Sequence, residues 1–203
     1  MNMKLRILAA AALLATLGGT ARAESFVRPI LSYDSPTNAG FGSAMGYGVA
    51  FGTWFGAGKD HEVSFEWHYT DWNYSQPYSG YSVAGGEKNM PLLVNYRYQS
   101  GNAQSPVRFY IGPSLGFTRT HLQVTANFPT LAPGPAIVVD DTDWSFTWSG
   151  ATGIIVKISD RADLDIGYRY LHFQGRNFAV GSSNVQVDDH KANIVYLGVN
   201  FRF

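Results

Sequence analysis

The chain has 203 residues, with 15 basic and 15 acidic side chains, 22 glycines, 12 tyrosines, five tryptophans and no cysteine. Without cysteine its stability comes from elsewhere than disulfides, and the even charge balance gives no concentrated positive field for a nucleic-acid partner. A slightly negative mean hydropathy with no second long apolar run excludes a helical membrane protein, while the glycine and aromatic content suits a sheet with aromatic belts.

Lys4 and Arg6 precede an apolar run over 7–17, and Ala21-Arg22-Ala23 follows with the small-x-small spacing of a cleavage site. This pattern predicts a secretory signal peptide over 1–23, cut before Glu24. The run is well short of the roughly 20 residues that a helix needs to cross a bilayer. The leader holds three basic residues (Lys4, Arg6 and Arg22) and no acidic one, so a mature domain over 24–203 carries 12 basic and 15 acidic residues, a net charge of −3.

Period-two alternation then predicts eight strands in the mature chain. The first, 26–34, offers Val27, Pro29, Leu31 and Tyr33 to one side, with the proline expected near its beginning because proline cannot donate to a ladder. The second, 42–56, sets Met45, Tyr47, Val49 and Phe51 against a face of Gly42, Ala44, Gly46, Gly48, Ala50 and Gly52. In the third, 61–74, Val63, Phe65, Trp67 and Tyr69 alternate with Glu62, Ser64, Glu66, His68 and Thr70. The fourth, 88–99, alternates Met90, Leu92, Val94, Tyr96 and Tyr98 with Leu93, Asn95 and Arg97. The fifth, 107–120, opposes Phe109, Ile111, Leu115 and Phe117 to Arg108, Tyr110, Ser114 and Thr118. The sixth, 143–159, opposes Trp144, Phe146, Trp148, Ile154, Val156 and Ile158 to Ser145, Thr147, Ser149, Ala151, Gly153 and Lys157. The seventh, 162–173, opposes Leu164, Ile166, Tyr168 and Tyr170 to Asp163, Asp165, Gly167 and Arg169.

The eighth, 190–203, alternates most strictly: Val195, Leu197, Val199, Phe201 and Phe203 point one way and Ile194, Tyr196, Gly198, Asn200 and Arg202 the other. One apolar and one polar face per strand is the signature of a sheet between lipid and a polar lumen. Connections of about seven (34–40), thirteen (75–87), twenty-three (121–143) and fifteen (175–189) residues alternate with ones of four (57–60), eight (99–106) and two (160–161). That alternation predicts an antiparallel up-and-down barrel of eight strands, with short periplasmic turns, longer external loops and both termini periplasmic. Eight strands enclose a lumen that side chains can just fill.

The strings Arg108-Phe109-Tyr110-Ile111-Gly112-Pro113-Ser114-Leu115-Gly116-Phe117 and Ala162-Asp163-Leu164-Asp165-Ile166-Gly167-Tyr168-Arg169-Tyr170 resemble strands five and seven of the OmpA/OmpX-like, opacity-type eight-stranded outer-membrane β-barrel superfamily. The terminal Phe203 strand is similar to the insertion signal of Gram-negative outer-membrane barrels. The resemblance implies export to the cell outer membrane, contact with outer-membrane lipids and lipopolysaccharide, and handling by the barrel assembly machinery through the Phe203 strand. A full-length OmpA wall anchor is not expected, since no peptidoglycan-binding domain follows Phe203. Function is not implied, because members share a fold and differ in their loops.

The polar faces gather Arg28, Glu62, Glu66, His68, Arg97, Arg108, Lys157, Asp163, Asp165, Arg169 and Arg202. Enclosed charges must pair, so the set reads as an interior salt-bridge plug, with a gated narrow pore as the alternative. The glycine face of the second strand reads as room for long Arg and Tyr side chains, against a water-filled gap. His172 with Ser182 or Ser183, and His68 with Glu66 and Ser64, are the only sets that approach a hydrolase arrangement, and neither has a recognised motif. Asp140, Asp141 and Asp143, with Asp188, Asp189 and His190, read as a solvated acidic rim or a weak divalent-cation site. The Pro-rich segment 126–135 is apolar enough to mark a contact site. No catalytic, cofactor or metal residue is assigned. The leading expectation is a non-enzymatic barrel with a structural or surface-interaction role through its external loops. A small passive, porin-like channel comes second and a lipid-modifying enzyme third.

Overall fold

The computed structural model describes residues 24–37, 40–78, 81–101, 105–127, 135–180 and 183–203. The predicted leader over 1–23 lies outside the described residues. All eight predicted strands are present: β1 (Glu24–Pro36), β2 (Ala44–Phe55), β3 (His61–Tyr78), β4 (Tyr81–Gln99), β5 (Val107–Asn127), β6 (Pro135–Lys157), β7 (Ala162–Phe173) and β10 (His190–Arg202). They close into an antiparallel barrel in the order β1-β10-β7-β6-β5-β4-β3-β2. A separate hairpin of β8 (Arg176–Val180) and β9 (Ser183–Val187) lies between β7 and β10 in sequence.

The predicted facing holds in every strand. Leu115, Phe117 and Leu197 are 56%, 53% and 45% exposed on the outside, whereas Leu93, Arg97 and Ile194 are buried inside. The barrel closes where β1 meets β10, and its last rung is a reciprocal pair: Ser25 N donates to Phe203 O at 3.2 Å and Phe203 N to Ser25 O at 3.0 Å. Pro29 faces outward, and its lack of an N–H falls where the β1–β10 register skips from Val27↔Phe201 to Ile30↔Gly198. At the end of the barrel that holds both termini, Gly56 (φ +88°) and Lys59 (φ 54°) take left-handed conformations to turn β2 into β3.

The long connections differ from expectation. Segments 75–87 and 121–143, predicted as loops, are mostly strand: β3 and β4 pair up to Tyr78↔Tyr81, and β5 pairs with β6 up to Asn127↔Pro135. Beyond the lipid belt the outward positions are no longer selected to be apolar, so Arg119, His121, Gln123 and Thr125 hide a strand whose backbone pairing continues. The last predicted loop, 175–189, contains the β8–β9 hairpin.

Candidate functional site: the lumen and its cap

Alternation aims every second residue of the eight strands inward, and the polar ones meet in connected clusters. Nearest the termini, Arg28 Nη2 donates to Glu62 Oε1 and Oε2 at 2.8 and 2.9 Å, and its Nε donates to Asn200 Oδ1 at 2.6 Å. The same Nε lies 3.1 Å from Asp165 Oδ2. Trp54 and Gln99 donate to the other side of Glu62. Arg97 Nη1 donates to Asp165 Oδ2 at 2.6 Å and its Nη2 to Tyr196 OH at 3.1 Å, while Tyr110 OH donates to Asp165 Oδ1 at 2.9 Å. Asp163 accepts from Arg108 Nη2 at 3.0 Å and from Arg202.

One level further, Arg169 grips Glu66 in a bidentate pair, with Nη2 to Oε2 at 2.7 Å, and Asn95 Nδ2 adds a third donor at 3.2 Å. All these carboxylates and guanidinium groups are buried or nearly so. Multiple donors to each carboxylate offset a desolvation cost of several kcal/mol per ion. Tyr110, Tyr196, Leu171, Ile194 and the edge-to-face pair Trp72–Phe173 fill space between the ionic clusters.

The far mouth is covered. The β8–β9 hairpin folds back so that Arg176, itself buried, reaches past β6 and β5 to β4. Its Nη2 donates to Glu87 Oε1 at 2.9 Å, and Nη1 contacts Asn89 Oδ1 at 3.4 Å and Thr120 Oγ1. Phe178 is buried against Leu122 and Val139, with Val124 and Val187 at the edge. Asn177 N donates to Asp143 Oδ2 at 3.1 Å, and Gly175 N to Asp189 Oδ1 at 2.8 Å. His190 Nε2 lies 3.5 Å from Glu87 Oε2 on the barrel side of this latch.

A sequence model of the outer membrane protein beta-barrel domain matches residues 8–203. The chain belongs to that family. Among solved structures this outer-membrane barrel is similar to Neisserial surface protein A (17% identity over 89% of this chain and 97% of that one, TM-score 0.52). It is also similar to OprG from Pseudomonas aeruginosa (14%, 91% and 98%, TM-score 0.53) and to a major outer membrane protein from Thermus thermophilus (12%, 87% and 99%, TM-score 0.52). At such identities the likeness is one of fold alone. No curated protein matches the chain.

Within the outer-membrane barrel the predicted charged set comes together, with one exception. Lys157 is not part of the lumen network: near the strand end it turns to Asp160 in the exposed 158–161 turn, Nζ to Oδ1 at 2.9 Å, and holds that carboxyl below its usual range. The glycine face of β2 is a packing face, but mainly for other residues than expected. A Cβ at Gly46 would meet Ser32, Thr70 and His68, and one at Gly52 would lie 2.7 Å from Phe26. The tyrosines instead occupy the space left by Gly153 and Gly167, where a Cβ would lie 2.3 and 2.1 Å from Tyr110 OH.

Of the two hydrolase sets, the one built on Glu66, His68 and Ser64 is not assembled, and for the other Ser182 and the side chain of Ser183 lie outside what the structure describes. His172 stacks on Trp148 with its Nε2 3.4 Å from Asp189. Glu66 is held by Arg169, and His68 turns instead to Asp34. Ser32 Oγ, Asp34 Oδ2 and Thr70 Oγ1 all crowd His68 Nε2, at 3.3, 3.0 and 3.1 Å, and Nδ1 has no partner among the described residues. A triad needs serine and aspartate on opposite ring nitrogens. The acidic rim is used for structure: Asp141 and Asp143 cap backbone N–H groups, and Asp140 sits 3.5 Å from His121. Among the described residues no group of three ligands could hold a metal.

Residues absent from the predicted set are Asp34, Glu87, Arg176 and Phe178. Asp34 and Glu87 continue the inward registers of Arg28-Ile30-Ser32 and Asn89-Leu93, a signal that extending the period by one step finds. Arg176 and Phe178 carry no such signal, because the fold-back of their hairpin is a tertiary event.

Proposed function

We propose that this outer-membrane barrel is exported by cleavage before Glu24 and works as a sealed, non-enzymatic scaffold that presents its hairpin end at the Gram-negative cell surface. The termini then face the periplasm. The observation that supports a sealed barrel is the continuity of the filling, from the Arg28–Glu62 and Arg97–Asp165 pairs, through Glu66–Arg169 and Trp72–Phe173, to the Arg176–Glu87 latch. Eight strands leave little bore even before it is filled. The surface role rests on β3–β4 and β5–β6, whose pairing runs well past the outermost lipid-facing aromatics and so holds a broad polar sheet clear of the membrane. In this reading the barrel assembly machinery engages β10 through its terminal Phe203, outer-membrane lipids surround the belt, and an extracellular partner meets the hairpin end; most of the Pro-rich 126–135 segment, predicted from sequence as a contact site, lies outside the described residues.

Planar-bilayer recording with folded full-length protein tests the sealed reading. The expected trace has no steady single-channel steps. Reproducible conductance from heat-modifiable, correctly folded protein would replace this function with that of a small channel. Unchanged lipid A on mass spectrometry of an overexpressing strain is the expected outcome for the non-enzymatic part.

A further inference from the structure

The β8–β9 hairpin keeps the register of the strands it leaves. Pairing of β7 with β10 ends at Phe173↔His190, and pairing of β8 with β9 resumes at Arg176↔Val187, the pair that the same ladder reaches three residues on. Only two rungs are missing, Gln174 with Asp189 and Gly175 with Asp188, and all four of these residues are exposed. On β7 the inward residues are Arg169, Leu171 and Phe173, yet past the break Arg176 and Phe178 are buried and Asn177 is exposed. Folding over the mouth therefore shifts the facing by one residue at Gly175, in a hairpin whose register otherwise continues that of β7–β10.

The edge that the hairpin leaves is prepared for a strand. Gln174 N donates to Phe146 O at 3.0 Å, and beyond this bond no strand pairs with β6 on the side away from β5 among the described residues. Lys157 N donates to Pro106 O on the β5 side, so even-numbered residues of β6 turn their bonding groups to the open edge. In the β6–β7 register the next bonded pairs are Arg176 with Trp144 and Phe178 with Thr142. The two N–H groups that β8 would occupy there are held by side chains of β6 itself: Trp144 N donates to Asp143 Oδ1 and Thr142 N to Asp141 Oδ1, each at 2.7 Å. Asp143 Oδ2 also accepts from Asn177 N at 3.1 Å, and Asn177 is the residue that the register sets opposite Asp143. In the cap, by contrast, Arg176 Nε finds no partner among the described residues.

We propose that the hairpin has two seats: the cap over the mouth and an erect one, reached by rotation at Gly175 and Asp188, in which β8 zips onto β6 and β7–β10 runs unbroken into β8–β9. In the erect seat Asn177 turns inward, Arg176 and Phe178 move to the outside beside Trp144 and Thr142, and Glu87, Asn89 and Thr120 are uncovered. The Arg176–Glu87 pair and the burial of Phe178 are exchanged for two bonded pairs with β6 and the two missing rungs of the hairpin. Erect, the hairpin stands clear of any core, so its amides are less protected than in the cap. Below the mouth, Glu66–Arg169 and Trp72–Phe173 stay in place, so the movement opens a polar vestibule and leaves the plug intact. The two-seat hairpin goes beyond the surface role above and needs no assignment of which end faces outside.

Pulsed electron resonance between nitroxides at Lys88→Cys and Gln186→Cys, in full-length barrel in nanodiscs, tests the second seat. The chain has no cysteine of its own, and both positions are exposed. β4 and β10 lie on opposite sides of the barrel wall, so at a strand spacing of about 4.8 Å release of the cap should lengthen the separation by roughly 10–15 Å. Wild type is expected to give mainly the shorter distance, and Arg176→Met to transfer most of it to a narrow longer one. Adding Thr142→Pro should turn that narrow component into a spread, because proline has no N–H for β8 and leaves the β5 side of β6 untouched. Asp141→Ala/Asp143→Ala, which strips the stand-in acceptors, should raise the longer population with Arg176 in place. A distance in Arg176→Met that keeps its wild-type value, or that broadens with no discrete longer component, would overturn the second seat. So would a narrow longer component that survives Thr142→Pro in heat-modifiable protein, or a longer population that fails to rise in the double aspartate variant. These distances read neither conductance nor orientation, so their failure leaves the sealed scaffold standing.

Discussion

Arg176 and Glu87 lie 89 residues apart, yet Nη2 of the arginine donates to Oε1 of the glutamate at 2.9 Å with both side chains buried. This one pair joins a hairpin outside the barrel sheet to the barrel wall and carries the cap across the mouth. Its loss exposes two weaknesses at once, since Glu87 keeps only the longer contact to His190 and Phe178 loses its anchor.

Arg176→Met is therefore expected to open the cap while leaving the barrel assembled. Amide exchange in 177–187 should accelerate strongly, and removing one partner of a buried pair should cost about 3–5 kcal/mol. Changing Glu87→Met as well should restore part of the stability but not the protection of the hairpin. Exchange in 177–187 that stays at the wild-type rate in Arg176→Met would show that the latch does not hold the cap.

The Glu66–Arg169 pair tests the ionic interior separately. Glu66→Ala leaves a buried guanidinium without its carboxylate, and Asn95 without one of its two acceptors. A loss of about 3–5 kcal/mol is expected in urea unfolding from vesicles, with much of it recovered in Glu66→Gln/Arg169→Met. A midpoint for Glu66→Ala within error of wild type would mean that the pair is not the closed unit its geometry describes.

The facing of every barrel strand was legible because lipid and lumen impose a strict period of two on either side of the same backbone. The pairing inside was legible only as a set. Arg28, sequence-distant from both, lies against Glu62 and also Asp165, and nothing in a linear pattern ranks those partners. Lys157 shows the limit of the facing rule: its register is inward, but a strand end lets a long side chain reach Asp160 in solvent. Above the belt the period loses its apolar half, which is why the β3–β4 and β5–β6 extensions read as loops. The hairpin that carries Arg176 is short and pairs only with itself, so its place over the mouth is decided by Glu87, Asn89 and Phe178 contacts that no local signal announces.

Lipid-facing and lumen-facing substitutions should differ in kind. Leu115→Arg and Ile154→Arg place a charge in the hydrocarbon layer, at about 2–4 kcal/mol each near its midplane. Added bulk on the lumen face is costly too, because the interior is filled. Ser114 is buried, leaving no room for Ser114→Arg, and Gly153→Ser would press a Cβ to 2.3 Å from both Tyr110 OH and Ile166 O. Ser114→Ala, which adds nothing to the lumen, is the mild change, expected at under about 1 kcal/mol. Folded yield by heat-modifiable migration ranks the five, and a larger loss from Ser114→Ala than from Leu115→Arg would invert the register.

Phe203 closes the barrel in two ways that can be separated. Its backbone makes the reciprocal bonds to Ser25, and its side chain, 78% exposed, extends the outward apolar row of Val199 and Phe201. Deleting Phe203 removes both, whereas Phe203→Asp keeps the backbone rung and places a charge on the outward apolar row. If recognition of the ring limits assembly, the two variants should fall together in outer-membrane yield, and Phe203→Tyr should remain near wild type. In refolding from urea into detergent, where no assembly machinery is present, Phe203→Asp should then recover far more than the deletion, because only the deletion loses the β1–β10 rung. Normal outer-membrane levels of heat-modifiable protein in the deletion would show that neither contribution matters and that the terminal strand is recognised by other residues.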